Sequence, residues 1–75
     1  MNWYITKLVF RIVCGDGEHT PQFDEQLWLV SAANEQEALQ KARKNGDLEA
    51  LQLSEGDGEI VKWEFIDITD VQQIN

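Results

Sequence analysis

Seventy-five residues carrying fourteen acids, six bases and one histidine give an acidic chain of formal charge −8, long enough for one domain over 1–75 and too short for a second core. A net-negative chain repels phosphate backbones, so nucleic acid is not an expected partner; the longest apolar runs, Leu8–Phe10 and Leu27–Val30, fall far short of the ~20 residues of a membrane helix. The single cysteine, Cys14, excludes an internal disulfide and suits a reducing compartment.

The opening MNWYITKLVF lacks a basic leader followed by a long apolar run, so a cytoplasmic location is expected. Residues 2–14, NWYITKLVFRIVC, are rich in β-branched and aromatic types without a breaker and read as a strand. Both of its faces are apolar, with Tyr4, Leu8, Phe10, Ile12 and Cys14 on one side and Trp3, Ile5, Val9 and Val13 on the other. Residues 22–32, QFDEQLWLVSA, read as a second strand, with Phe23, Leu27 and Leu29 alternating against Asp24, Gln26, Trp28 and Val30. A hairpin is the economical connection between the two.

A helix is expected over 35–45. Asn34 is a good N-cap, Glu37 completes a capping-box pattern three residues later, and Glu35 adds charge to the first turn. Lys41, Arg43 and Lys44 crowd the far end, and Asn45-Gly46 offers a left-handed cap. Residues 47–53 fit a short helix or an edge segment equally, and SEGDG reads as a loop. EIVKWEFIDI, 59–68, alternates as a third strand, and TDVQQIN leaves room for a short fourth strand after a bend at Thr69-Asp70. The fold class is therefore α+β: an antiparallel or mixed sheet of three to four strands with one main helix on one face, in the order β-β-α-β. A crossover from the second strand places the third beside the first, for a sheet order 2-1-3.

Gly-Asp-Gly-Glu occurs at 15–18 and again at 56–59. Glycine permits positive φ and Asp bonds its own backbone, so both copies are turn chemistry. Neither has the ligand spacing of a calcium loop, and neither opens a helix as a phosphate cradle does. His19 lies in the first loop, and Asp16, Glu18 and Asp24 could join it around a transition metal. A structural zinc site would want more cysteine or histidine, and a catalytic site would want a nucleophile against the imidazole. A loop histidine is the preferred reading, with no cofactor and no catalytic residue assigned.

The stretches NWYITKLVF, HTPQFDEQ and VKWEFI, with the helix NEQEALQKARKNG between the last two, resemble a family of small bacterial proteins catalogued only as a domain of unknown function. The resemblance implies a cytosolic single-domain protein and supplies no catalytic residue or substrate.

One helix can cover only one face of the sheet. If it covers Tyr4, Leu8, Phe10, Phe23, Leu27 and Leu29, the face left open carries Trp3, Ile5, Val9, Trp28 and Val30, more apolar surface than a monomer usually exposes. A non-enzymatic interaction module, forming a homodimer through that face, is the leading expectation. Lys7, Arg11 and Lys62 fall on the same face and could hold an anion, or could pair across strands with acids such as Asp24 and Glu64. Two alternatives remain: a metal-binding protein or small metal-dependent enzyme centred on His19, and an acidic decoy or immunity-type protein whose residues 47–70 bind a basic partner.

Overall fold

In a computed structural model the chain runs β1 (Asn2–Cys14), β2 (Gln22–Ala32), α1 (Glu35–Gly56) and β3 (Val61–Ile74); the structure describes residues 1–14, 20, 22–56 and 61–74. The strands form one sheet in the order β2-β1-β3, with both pairings antiparallel. The α+β class and the sheet order agree with the sequence pattern. His19, Asp16, Glu18 and the rest of the two Gly-Asp-Gly-Glu stretches lie outside the described residues, apart from the backbone of Gly56, which ends the helix.

The helix does not stop at Gly46. It continues through the segment that propensity left undecided and ends at Gly56. The reason lies in what Gly46 faces. Ala38, Ala42, Gly46 and Ala50 are buried at intervals of four residues, so they stack along one side of the helix. This strip of small side chains lets α1 sit close on the sheet, and a Cβ at Gly46 would lie only 2.5 Å from Cδ1 of Phe65. The glycine serves close approach rather than termination. At the other end Asn34 caps the helix as expected, with Glu37 N–H donating to Asn34 Oδ1 at 2.8 Å, while the Glu37 carboxylate accepts from the N–H of Ala33, one residue before the cap, at 3.4 Å.

The core lies between α1 and the even-numbered side chains of β1. Leu8 and Phe10 are fully buried against Ala42 and Ala50, with Trp28, Trp63, Phe65 and Ile68 packed around them. Tyr4 packs with Ala32, Ala38 and Val71 toward the start of the helix. Phe10 stands edge-on to Trp63, with ring centroids 6.0 Å apart, and tilted to Phe65 at 5.7 Å. Thr6 is the buried polar residue of this layer, and its hydroxyl donates to the Trp28 carbonyl at 3.0 Å, which removes the cost of burying it.

β3 is one strand of fourteen residues rather than two pieces. Its ladder with β1 slips twice, between Val9 and Phe10 and between Lys7 and Leu8. Each slip leaves one β3 residue, Ile66 and then Thr69, without a partner, which is a β-bulge. The bulges change the phase of the strand. Phe65, Ile68 and Val71, three apart rather than two, all reach the helix side. The expected bend at Thr69-Asp70 is thus a bulge within a continuing strand.

Candidate interaction surface

The register of β1 with β2 decides which side chains share the helix-free face. Tyr4 is opposite Val30 and Thr6 opposite Trp28, while Ile5 is opposite Leu29, Lys7 opposite Leu27 and Arg11 opposite Phe23. Directly opposed residues lie on the same side of a sheet. Trp28 and Val30 are therefore beneath the helix, Val30 only 5% exposed, and the assignment of these two to the open face is corrected. Phe23, Leu27 and Leu29 are the residues that point away. Both residue sets of β2 are apolar, so alternation defines two faces without saying which is inside; the pairing with β1 supplies that answer.

On the open face Leu27 is 68% exposed, Phe23 63% and Leu29 59%, with Trp3 and Ile5 beside them on β1 and Ile74 on β3. Trp3, Ile5 and Val9 lie on this face as the sequence pattern places them. The apolar part is concentrated on β2 and at the Trp3 end of β1. Toward the middle of the sheet the face becomes charged. Lys7 Nζ lies 3.6 Å from Glu25 Oε2, and Arg11 Nη2 lies 3.6 Å from Glu64 Oε1. These groups are partly exposed, so each pair contributes about 0–1 kcal/mol. Lys62 stands opposite Val13, one step beyond Arg11. Two of the three cations considered for an anion thus have carboxylate partners.

Asp24, the one described member of the metal candidates, belongs to the helix side of β2. It accepts from Gln26 Nε2 at 3.3 Å, and Gln26 Oε1 in turn accepts from Trp28 Nε1 at 2.8 Å. Among the described residues no three metal-binding side chains cluster. A groove of about 520 Å³ runs between the second half of α1 and the start of β3, lined by Asp47, Ala50, Leu51, Ser54, Val61, Lys62 and Trp63. The Ser54 hydroxyl there is committed to backbone: it accepts from Trp63 N–H at 2.8 Å and donates to Trp63 O at 3.3 Å. The groove was invisible in the sequence because it depends on 47–53 being helical.

No described helix is long and apolar enough to cross a membrane. A family model described as "Domain of unknown function (DUF4288)" matches residues 3–75, and the chain belongs to that family. No curated protein and no solved structure matches it significantly.

Proposed function

We propose that this member of the DUF4288 family is a non-enzymatic assembly module that forms a homodimer through the helix-free side of its sheet. The observation that carries the reading is the row Phe23, Leu27 and Leu29 on β2, each more than half exposed, continued by Trp3 and Ile5 on β1. Together these side chains leave on the order of 600 Å² accessible, at the upper limit for a monomer's largest apolar patch and near the ~800 Å² per partner of a stable interface.

Charge supports a second copy as the partner. The chain as a whole is −8, yet on this face Lys7, Arg11 and Lys62 stand among Glu25, Glu64, Asp67 and Asp70, three cations against four anions, and the Asp67 carboxylate also has Arg43 of α1 beside it. Two strongly acidic molecules repel one another least where each is locally neutral. Light scattering across a hundredfold dilution tests the reading. The expected result is a mass of two chains that falls toward one on dilution; a mass of 8.6 kDa at every concentration would contradict it.

A further inference from the structure

The sheet has two free edges, and they are not alike. β3 is blunted along its length. Two bulges interrupt its regularity, and Glu64, Asp67 and Asp70 are spaced along it. The helix lies mainly over β3, where Ser54 occupies both backbone groups of Trp63 and Arg43 Nη1 reaches Asp67 Oδ1 at 3.3 Å. Bulges, charges and a covering helix are the ways in which proteins keep an edge from pairing with another chain. Between Gln22 and Val30 β2 has no bulge, and its charges, Asp24 and Glu25, stand together at one end rather than along its length. Its ladder with β1 is unbroken from Gln22 to Ala32, it contains neither proline nor lysine nor glycine, and among the described residues a helix side chain reaches its backbone at one end, where Lys41 Nζ donates to Ser31 O at 2.6 Å.

The exposures point to the same edge. Ile5, on the central strand and the same open face, is 39% exposed, whereas Leu27 and Leu29 beside it on β2 are 68% and 59% exposed. All three lack a covering layer. What the β2 side chains lack in addition is a neighbour on their far side, and one more strand would bring them to the level of Ile5. Stacking two open faces on one another would also cover them, but it would take the ion pairs Lys7–Glu25 and Arg11–Glu64 out of water, and desolvating paired charges often costs more than their attraction returns.

We infer that in the dimer the two copies meet side by side, β2 against β2 in antiparallel pairing about a two-fold axis, so that the two three-stranded sheets become one of six strands. The inference rests on the homodimer reading and moves its contact from the stacked open faces to the β2 edge, where Leu27 and Leu29 of the apolar row lie at the seam. A register centred on Trp28 places Leu27 of one copy opposite Leu29 of the other, and sets Asp24 and Glu25 opposite Ala32 and Ser31. No acid then faces an acid, a juxtaposition that would oppose pairing. The ion pairs stay at the surface, and backbone hydrogen bonds are added along the new seam.

Single-residue hydrogen exchange separates this arrangement from face-to-face stacking. Along an edge strand, alternate amides point toward the neighbouring strand and into solvent. In the wild-type dimer the outward amides of β2 are expected to exchange ~100-fold more slowly than in the monomeric Leu27→Lys variant, since they become part of a ladder. Leu27 is largely exposed in the single chain, so the variant retains the fold, which circular dichroism verifies. A dimer in which the outward amides of β2 still exchange as fast as in the variant would overturn side-by-side pairing and leave the homodimer reading standing. A monomer at all concentrations would overturn both.

Discussion

Replacing Gly46 by alanine sets two effects of opposite sign against each other. In the interior of a helix alanine is favoured over glycine by about 1 kcal/mol, so an exposed position would gain stability. Here the new methyl would lie 2.5, 2.6 and 2.8 Å from Cδ1, Cε1 and Cγ of Phe65, against a normal carbon–carbon contact of about 3.5–4.0 Å. The ring or the helix must therefore move by about 1 Å. The ring has little freedom, because it packs on Phe10, which packs on Trp63. Overpacking of this kind costs roughly 1–3 kcal/mol, so the two effects leave a net loss of up to about 2 kcal/mol. In a domain of this size total stability is on the order of 3–5 kcal/mol, and each kcal/mol shifts the melting temperature by about 4–8 °C. Urea and thermal unfolding followed by circular dichroism, at fixed protein concentration, provide the assay. The expected result is a lower midpoint for Gly46→Ala and a positive coupling when Phe65→Leu is combined with it, since the smaller side chain makes room. A midpoint above wild type, by the amount an exposed Gly→Ala change would give, would refute the argument that Gly46 exists for close approach.

Three further outcomes are expected. Asn34→Ala removes the cap on Glu37 N–H and lowers stability by about 1 kcal/mol in the same unfolding assay. Trp28→Glu unfolds the chain instead of splitting a dimer, because Trp28 packs on the Leu8–Phe10 core and losing a large core side chain costs about 3–5 kcal/mol; loss of the circular dichroism spectrum at 25 °C is the readout. The dissociation constant of the dimer falls as sodium chloride is raised from about 10 to 150 mM, since the screening length shortens from ~30 to ~8 Å and each copy carries −8; sedimentation at both salt levels measures it, and tighter binding at low salt would contradict the repulsion argument.

The parts of the structure that were legible in the sequence were those set by local chemistry. Asn34 and Glu37 mark the helix start unambiguously, and the runs 2–14 and 22–32 coincide with β1 and β2. The misleading signal was Gly46. Lysines and arginine before it and glycine after Asn45 imitate a helix terminus, and only the spacing Ala38-Ala42-Gly46-Ala50 reveals a strip of small residues that continues past it. That pattern was present but low in hydrophobicity, so a reading based on large apolar residues passed over it. The phase of β2 had no local signal. Leu27 and Leu29 are as apolar as Trp28 and Val30, and the register with β1 that decides between them is a long-range property. The β3 bulges are similar: Ile66 and Ile68 look equivalent in the sequence, yet Ile68 packs on the core while Ile66 is exposed.

The make-up of the candidate surface depends on the same long-range register. That one sheet face carries uncovered apolar residues was evident from one helix facing two apolar sets. Which β2 residues compose it was inverted until the register was known. Lys7 and Arg11 were placed on the correct face, and their carboxylate partners turned out to be Glu25 and Glu64, one of which, Glu64, the sequence pattern had already offered.

The central claim is that the chain assembles through β2 and the open side of its sheet, and two exposed leucines allow it to be tested under matched chemistry. Leu27 on β2 and Leu51 on α1 are both more than half exposed, so Leu27→Lys and Leu51→Lys add the same charge at similar cost to the single chain. Sedimentation equilibrium of both variants beside wild type is the direct comparison. A lysine at a central interface position costs at least ~2 kcal/mol of association, so Leu27→Lys is expected to weaken the dimer ~30-fold or more while Leu51→Lys leaves it intact. A dimer that survives Leu27→Lys and is split by Leu51→Lys would place the contact in the groove beside α1 and contradict the account.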